Sequence, residues 1–264
     1  MPGAARVKVT AAQLAFAHRL ADEAGKIIRR YFRRKFAIDE KPDHTPVTIA
    51  DRAAERAMRR LIKARFPEHG IVGEEYGRTQ AEAEYVWVLD PIDGTKSFIS
   101  GVPLFGTLIA LTHRGQPILG VIDQPILRER WVGAAGRKTT LNGKRIKTRA
   151  CASLDRATLF ATSPDLFAAG DATGFERLRR AVKLTRFGAD CYAYALLASG
   201  FVDLVVEAGL KPHDFCALAP VIAGAGGAMT DWQGKALDFH SDGRVVASGD
   251  QALASKAREV LAQG

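Results

Sequence analysis

The sequence predicts an α/β protein, with an α+β N-terminal half and an α/β C-terminal half. Its 264 residues are 47% hydrophobic and 25% charged, which is typical of a globular chain long enough to bury a substantial core. Two helical stretches come first, apolar runs separated by Gly and Pro follow, and strands then alternate with helices. The pattern changes near residues 144–155, so we expect two domains, 1–147 and 148–264.

Two amphipathic helices are predicted in the first part of the chain. Over residues 10–36 apolar side chains recur at helical spacing, and Thr10 is placed to cap the helix. A second helix is predicted within residues 46–66. Thr48 and Asp51 fit a variant of the capping box, in which two side chains satisfy backbone N–H groups at a helix start.

Short apolar runs predict the strands. A strand at 71–77 ends in two acids, and a strand at 86–89 is expected to stop at Pro91, because proline has no N–H to donate. An antiparallel meander is expected at residues 98–103, 105–113, 117–124 and 130–134, followed by a hairpin turn at Asn142-Gly143. In the second half, strands at 158–162, 183–186 and 202–207 alternate with helices at 174–181, 191–199 and 217–227.

The net charge of +9, from 38 Lys and Arg against 29 Asp and Glu, favours anionic ligands. It does not select among phosphate esters, nucleic acid and a membrane surface. The basic residues concentrate at 29–35, 56–65 and 177–183, all in predicted helices. Solvated helix faces explain them better than a nucleic-acid patch, so nucleic acid is not an expected partner.

The compartment is predicted from the cysteines and from the absence of long apolar runs. Three cysteines, Cys151, Cys191 and Cys216, are sparse and odd in number, which indicates a reducing environment without a disulfide framework. No apolar run is long enough to span a bilayer, and residues 1–10 lack a hydrophobic signal core. We therefore expect a cytoplasmic protein that does not associate with membranes.

The central motif of the chain is Asp90-Pro91-Ile92-Asp93-Gly94-Thr95. Asp90 and Asp93 can converge on one pair of cations across a bend while Ile92 turns its carbonyl inward, and such oxygen ligands suit Mg²⁺ or Mn²⁺. Gly94 allows close backbone approach, and Thr95 offers an N–H and a hydroxyl at a predicted helix N-terminus, where anions bind well. The alternative is an ordinary Asp-Gly turn with capping side chains.

Other acids fall at the ends of predicted elements. Glu74 and Glu75 follow a strand, Glu207 ends another strand, and Asp214 occupies an N-cap position before an Ala/Gly-rich helix. Asp190 lies at a helix start, where capping explains it about as well as ligand contact does. His213 has no partner at zinc spacing and is interpreted as a loop residue.

These motifs resemble the inositol monophosphatase superfamily of Mg²⁺-dependent, lithium-sensitive phosphatases. The segments Gly73-Glu74-Glu75 and 90–95, with Asp214 before an Ala/Gly helix, match its three signature segments in order. The resemblance implies a layered αβαβα fold with the site between the two halves, a phosphate monoester as substrate and a homodimer.

The resemblance also implies roles for individual residues. Glu74, Asp90 and the Ile92 carbonyl are implied as ligands of a first metal, and Asp90, Asp93 and Asp214 as ligands of a second. Glu74 would also hold a third, weaker ion whose water is the nucleophile. The resemblance further implies that Asp51 and Thr95 orient or deprotonate this water, and that the N–H groups of Gly94 and Thr95 bind phosphate oxygens. His213 replaces the usual Trp, a change that affects packing rather than ligation.

Residues 186–194 and 202–212 look closest to the histidinol-phosphate phosphatases of this superfamily, which act in histidine biosynthesis. Asp190 and Glu207, with Asp214 nearby, would bind the substrate, and the first two could accept its ammonium and imidazole. Glu207 could equally accept hydroxyls of an inositol or sugar ring. The alternatives are a phosphatase for inositol phosphate, sugar bisphosphate or phosphoadenosine nucleotide, and a non-catalytic scaffold for RNA or protein. Since all five metal-ligand positions carry suitable groups, we favour an enzyme.

Overall fold

Two helices cover one face of the first sheet. The computed structural model describes residues 7–35, 38–40 and 46–263. Helix α1, Ala11–Tyr31, begins at Thr10, whose hydroxyl accepts the Gln13 N–H at 3.1 Å while the Gln13 side chain accepts the Thr10 N–H at 2.9 Å. Helix α2, Ile49–Arg65, begins at Thr48 with the predicted capping box.

The prediction that α1 continues to residue 36 is wrong, because the helix ends at Tyr31. Residue 36 itself lies outside the described residues. Phe32 leaves helical geometry and its ring packs against Phe98 at 5.7 Å and Phe105 at 5.4 Å. A tertiary contact therefore ends a helix that the local pattern would continue.

The first half of the chain forms an eight-stranded sheet and a small hairpin. The hairpin pairs β1, Ile38–Glu40, with β2, Pro46–Thr48. The large sheet contains β3 Gly70–Gly73, β4 Gly77–Thr79, β5 Tyr85–Asp93, β6 Gly106–His113, β7 Gln116–Gln124, β8 Glu129–Ala134, β9 Thr140–Leu141 and β10 Lys144–Arg145. Their order is β10-β9-β8-β7-β6-β5-β3-β4, with β3 parallel to β5 and every other pair antiparallel. The predicted meander is thus present from β6 to β8.

Pro91 does not end its strand, contrary to the prediction. Strand β5 continues to Asp93, and the register shifts between the pairs Asp90–Leu108 and Asp93–Gly106. The missing N–H falls at this irregularity, where no ladder bond is lost, and the Thr107 hydroxyl donates to the Pro91 carbonyl at 2.9 Å.

The strand predicted at 98–103 is also absent. Gly94 has φ +88°, and from it helix α3, Thr95–Ile99, leads the chain out of β5. Phe98 is buried against Phe105, with ring centroids 5.0 Å apart. The apolar residues that suggested a strand are therefore the buried side of a short helix and the turn after it.

The second half contains a five-stranded mixed sheet. Its order is β12-β11-β13-β15-β14, and β11 pairs in parallel with β12 and β13. The strands are β11 Thr158–Ala161, β12 Leu184–Phe187, β13 Leu204–Glu207, β14 Ala228–Thr230 and β15 Val245–Ser248. The helices are α4 Ala169–Ala181, α5 Asp190–Ala198, α6 Pro212–Phe215, α7 Leu218–Ala225 and α8 Gln251–Ala262. Strands β14 and β15 and helix α8 are additions to the predicted alternation.

Three buried clusters define the layers. The first joins α1 and α2 to one face of the large sheet, the second fills the space between the sheets around α5 and α7, and the third joins α4 and α8 to the second sheet. Helix α7 lies so close to β7 and β8 that a Cβ at Gly120 would be 1.9 Å from the Ala217 carbonyl oxygen. The five layers confirm the αβαβα fold.

The predicted domain boundary at residue 147 lies in the connection between the two sheets, after β10 and before β11. The buried cluster between the sheets takes side chains from both halves, among them Val88 and Val205. The division into two domains at this boundary stays a prediction.

Two further findings concern the chain as a whole. Within the described ranges, no helix combines the length and apolar character needed to cross a membrane. All three cysteines are free thiols, with Cys191 and Cys216 buried.

Candidate active site

Strand ends and helix starts from both halves meet at one cleft of about 330 Å³. Because β5 belongs to the first sheet and β13 to the second, the cleft lies between the two halves. The predicted site residues that line it are Glu74, Asp93, Gly94, Thr95, Asp190, Glu207 and Asp214. Asp90 is buried beside the cleft, and Asp51 lies on α2.

Three carboxylates form the centre of the site. Asp90, Asp93 and Asp214 each offer one oxygen, and these oxygens all lie within 4.8 Å of one another. Burial raises the pKa of Asp90 well above its ordinary value, and the charges of Glu74, Asp93 and Asp214 add to the effect. Burial likewise raises the pKa of Asp93, with Asp190 and Asp214 adding to it. The three groups therefore repel one another unless a cation lies between them.

Glu74 approaches this centre from β3. Its backbone N–H donates to the Leu89 carbonyl at 3.1 Å, which extends the β3–β5 pairing by one residue. The resulting position lets the charge and side-chain hydrogen bond of Glu74 raise the pKa of Asp90. The Ile92 N–H donates to Oδ1 of Asp90 at 3.0 Å, and the Ile92 carbonyl accepts the Thr95 hydroxyl at 3.1 Å.

The donor set fits a divalent cation. All candidate ligands are oxygens, from carboxylates and one backbone carbonyl, which is the chemistry that Mg²⁺ and Mn²⁺ prefer. Within the part of the chain that the structure describes, no Lys or Arg side chain forms an ion pair with Asp90 or Asp93. Among the described side chains, none therefore balances the charge of these two carboxylates by direct pairing.

Asp51 is held by the start of α2 and is only 1% exposed. Its Oδ2 accepts the Thr48 N–H at 2.9 Å and the Thr48 hydroxyl at 2.5 Å, while Oδ1 has no hydrogen-bond partner among the described residues. Burial raises the pKa of Asp51 to about 7, the Thr48 hydrogen bonds oppose this, and the charges of Glu75 and Glu74 add to it. Asp51 is not hydrogen-bonded to Thr95, whose hydroxyl donates to Ile92 instead.

Gly94 and Asp190 lie against each other across the cleft wall. A Cβ at Gly94 would be 3.0 Å from Oδ2 of Asp190, so only glycine leaves this carboxylate in place. Asp190 opens α5 with φ +45° and accepts the Ser97 hydroxyl at 3.2 Å. Burial raises the pKa of Asp190, and the Ser97 hydrogen bond opposes that rise.

Glu207 is fixed at the end of β13. Its Oε1 accepts the N–H and the hydroxyl of Thr162 at 2.9 and 2.6 Å. Burial nevertheless raises the pKa of Glu207 to about 7, and the charge of Asp190 contributes. Glu207 and Asp190 thus form one acidic wall of the cleft.

Asp214 and His213 occupy α6, which corrects two sequence interpretations. Lys211 is the N-cap of α6, and Oδ2 of Asp214 accepts its N–H at 2.7 Å from within the first turn. His213 lies in the same helix rather than in a loop, and its Nε2 is 3.5 Å from Oδ1 of Asp214. Burial raises the pKa of Asp214, and the charge of His213 opposes this.

Several residues that line the cleft were not predicted from the sequence, including Tyr194, Thr162 and Lys96. Tyr194 is only 1% exposed, and its hydroxyl has no hydrogen-bond partner among the described residues. Burial raises the pKa of Tyr194, and the nearby charge of Glu207 adds to the rise. The spacing of four residues between Asp190 and Tyr194 places both on one face of α5 and could have indicated it.

The profile of the inositol monophosphatase family matches residues 11–263, nearly the whole chain. The chain belongs to this family. Its members are metal-dependent phosphatases, which agrees with the acidic centre of the cleft.

Individual relatives support the same assignment. The chain is 57% identical over 251 residues to the chloroplastic bifunctional phosphatase IMPL2 of Arabidopsis thaliana, covering 92% of this chain and 72% of the relative. It is 38% identical to a histidinol-phosphatase of Chlorobaculum parvum, covering 89% and 92% of the two chains. An inositol monophosphatase structure from Zymomonas mobilis matches with a TM-score of 0.90 and 48% identity, covering 97% of this chain and 100% of that one.

Proposed function

We propose that the protein hydrolyses histidinol phosphate to histidinol and phosphate, as a step of histidine biosynthesis. The observation that carries this proposal is the acidic wall formed by Asp190 and Glu207 beside the carboxylate centre. A phosphate monoester held at the centre would extend its alcohol portion along this wall. One buried and one partly buried carboxylate favour a cationic portion, such as an ammonium with an imidazole.

The proposed metal ligands are Asp90, Asp93 and Asp214, with Glu74 and the Ile92 carbonyl, and the expected ion is Mg²⁺, with Mn²⁺ as the alternative. When bound there, divalent cations neutralise phosphoryl oxygens, lower the pKa of a coordinated water and stabilise the leaving alkoxide. Asp90 would bind both metal ions, which is consistent with carboxylate oxygens that lie within 4.8 Å of one another.

Residues of the chain itself would bind the phosphate, accept the proton of the attacking water and orient that water. The N–H groups of Gly94 and Thr95, at the start of α3, would donate to phosphate oxygens. Asp51 is a candidate base because its pKa of about 7 lets it accept a proton near neutral pH, and its Oδ1 has no hydrogen-bond partner among the described residues. Thr95 would orient the attacking water once its hydroxyl turns from Ile92.

Asp190, Glu207 and Asp214 are the proposed contacts to the substrate beyond its phosphate. Glu207 would accept the ammonium or the imidazole N–H while Thr162 holds it in position. The name of the Chlorobaculum parvum relative as a histidinol-phosphatase favours this substrate. Inhibition by lithium and assembly as a homodimer complete the proposal.

Inositol 1-phosphate is the second candidate substrate. The Zymomonas mobilis protein, 48% identical, is described as an inositol monophosphatase, and Glu207 could accept ring hydroxyls as well as an N–H. The deciding experiment compares kcat/KM for the two substrates at saturating Mg²⁺. We expect a preference of about a hundredfold for histidinol phosphate, or ~2.7 kcal/mol of transition-state binding.

Two other outcomes would change the assignment. Equal rates, or a preference for inositol 1-phosphate, would discard the substrate and leave the metal site in place. No phosphate release from any monoester would favour the non-catalytic scaffold for RNA or protein.

A further inference from the structure

A second buried carboxylate lies one helical turn after Asp51 on α2. Glu55 is 0% exposed, and its two oxygens accept three hydrogen bonds. Oε2 accepts the Glu75 N–H at 2.7 Å, and Oε1 accepts the Tyr76 N–H at 3.1 Å and Nε of Arg59 at 2.7 Å. A helix side chain therefore captures the two backbone donors that directly follow Glu74.

Arg59, one further turn along α2, holds the other end of the same segment. Its guanidinium donates to the Gly77 carbonyl and to the Thr79 hydroxyl, the latter at 3.3 Å. It also lies 5.9 Å from the centre of the Tyr76 ring. The connection between β3 and β4 is thus attached to α2 at both of its ends.

The absence of a side chain at Gly73 leaves room for the carboxylate of Glu55. A Cβ at Gly73 would lie 2.0 Å from Oε1 of Glu55, so a side chain here would displace the carboxylate. The glycine before Glu74 therefore serves the approach of Glu55, which comes from a different element and lies 18 positions earlier in the chain.

We propose that Glu55, supported by Arg59, is a positioning residue that keeps Glu74 directed at the metal centre. The inference rests on the proposed role of Glu74 as a metal ligand. Glu74 lies beside carboxylates of the same charge, so without a cation their mutual repulsion favours movement of its segment away from the cleft. Hydrogen bonds to the next two N–H groups oppose that movement and keep the ligand in place before the ion binds.

The variant Glu55→Gln tests this role. Its amide NH₂ replaces one acceptor oxygen with a donor, so at least one of the bonds to Glu75 or Tyr76 is lost. We expect the Mg²⁺ concentration for half-maximal activity to rise about tenfold, as is usual when a group supporting a metal ligand is changed. Turnover should recover to within about threefold of wild type at saturating Mg²⁺.

Two measurements do not depend on turnover. Mn²⁺ binding, followed by electron paramagnetic resonance, should weaken about tenfold in Glu55→Gln. Amide exchange at Glu75 or Tyr76 in the metal-free protein should accelerate, since at least one of these N–H groups loses its acceptor. If Glu55→Gln does not fold, Arg59→Lys replaces it, with a smaller expected shift of about threefold in Mn²⁺ affinity.

Asp203→Asn is the matched control. Asp203 is a buried carboxylate that also accepts an Arg side chain and a backbone N–H, from Arg149 and Thr158. Its side chain does not line the cleft. The control should lower thermal stability and leave Mn²⁺ affinity unchanged.

The outcomes separate the two proposals. Unchanged Mn²⁺ affinity in Glu55→Gln, or an equal loss in Asp203→Asn, would overturn the positioning role even if the protein is an active phosphatase. A wild-type protein that binds Mn²⁺ but releases no phosphate would overturn the proposed function, while the Mn²⁺ comparison would still decide the role of Glu55.

Discussion

Asp90 and Asp203 are buried to nearly the same degree, 2% and 1% exposed, yet their surroundings differ in kind. Burial alone would raise the pKa of Asp203, but hydrogen bonds from Arg149 and Thr158 lower it below its ordinary value. The pKa of Asp90 is raised by burial and by neighbouring carboxylates. The fold therefore pairs Asp203 with its own arginine, whereas Asp90 has no Lys or Arg ion-pair partner among the described residues.

Glu207 extends this comparison to the substrate side. It too is buried, and among the described side chains no Lys or Arg forms an ion pair with it. Its hydrogen bonds from Thr162 fix its position without neutralising it. If a metal ion balances the charge of Asp90, a cationic group of the substrate is the candidate to balance the charge of Glu207.

The largest expected effect comes from Asp93→Asn. Loss of this proposed ligand should reduce kcat/KM by about a thousandfold or more, since metal stabilisation of the transition state is worth several kcal/mol. The asparagine can still accept the Cys191 N–H that now donates to Oδ2 at 2.6 Å, so the circular dichroism spectrum should not change. Removal of a like charge should leave the metal-free protein at least as stable as wild type.

Asp203→Asn should behave in the opposite way. It leaves Arg149 without its charged partner and should lower the free energy of unfolding by about 2 kcal/mol, with kcat/KM near that of wild type. If Asp93→Asn retained activity, or destabilised the metal-free protein as much as Asp203→Asn, the distinction between the two regions would fail.

The pH dependence of stability sharpens the same comparison. The pKa of Glu207 is raised from 4.5 to about 7 in the folded state. Between these values the folded protein keeps a proton that the unfolded chain has lost, so the free energy of unfolding falls as pH rises. The loss is complete above about pH 7 and amounts to ~3 kcal/mol for this group. Asp51, whose pKa is also about 7, acts in the same direction.

Thermal unfolding of the metal-free protein from about pH 5 to about pH 8 measures this effect. Mg²⁺ binds the deprotonated carboxylates, so the increase in Tm that it produces should be larger at the higher pH. A Tm that rises with pH in the metal-free protein would show that the cleft carboxylates are neutralised within the chain.

The smallest expected effect is that of Glu207→Gln. If Glu207 binds the amine or the imidazole, the neutral amide should raise KM for histidinol phosphate about tenfold, or ~1.4 kcal/mol, with little change in kcat. KM for inositol 1-phosphate is the control and should change less, because a glutamine still accepts hydroxyls. An unchanged KM for histidinol phosphate would remove Glu207 from substrate recognition.

Local sequence predicted the parts of the site whose geometry is local. Asp90, Asp93, Gly94 and Thr95 are close in the chain, and a strand that leads into a short helix after Gly94 is enough to place them together. The capping boxes at Thr10 and Thr48 are equally local. The end of α1, the path of β5 through Pro91 and the absence of a strand at residues 98–103 could not be predicted, because partners distant in sequence decide them.

Glu55 and Arg59 show the same limit at the site. Their spacing of four residues is that of an ordinary pair on a solvated helix face, and Arg59 lies within the stretch 56–65 that sequence analysis interpreted as such a face. In the structure Arg59 is only 8% exposed and contacts the segment after Glu74. Burial distinguishes a pair on the helix surface from a pair that holds the segment after Glu74, and the spacing of four residues does not reveal burial.

The sequence by itself determined the fold class, the family and the kinds of ligand atoms, because hydrophobic periodicity and short motifs depend on neighbouring residues. Only the tertiary structure decided which carboxylates meet one another, since β3, β5, α5, β13 and α6 converge through the packing of two sheets. It also decided which buried carboxylates are paired with arginine and which have no such partner among the described residues. Charge balance in a protein interior is a property of three-dimensional proximity, and spacing along the chain does not encode it.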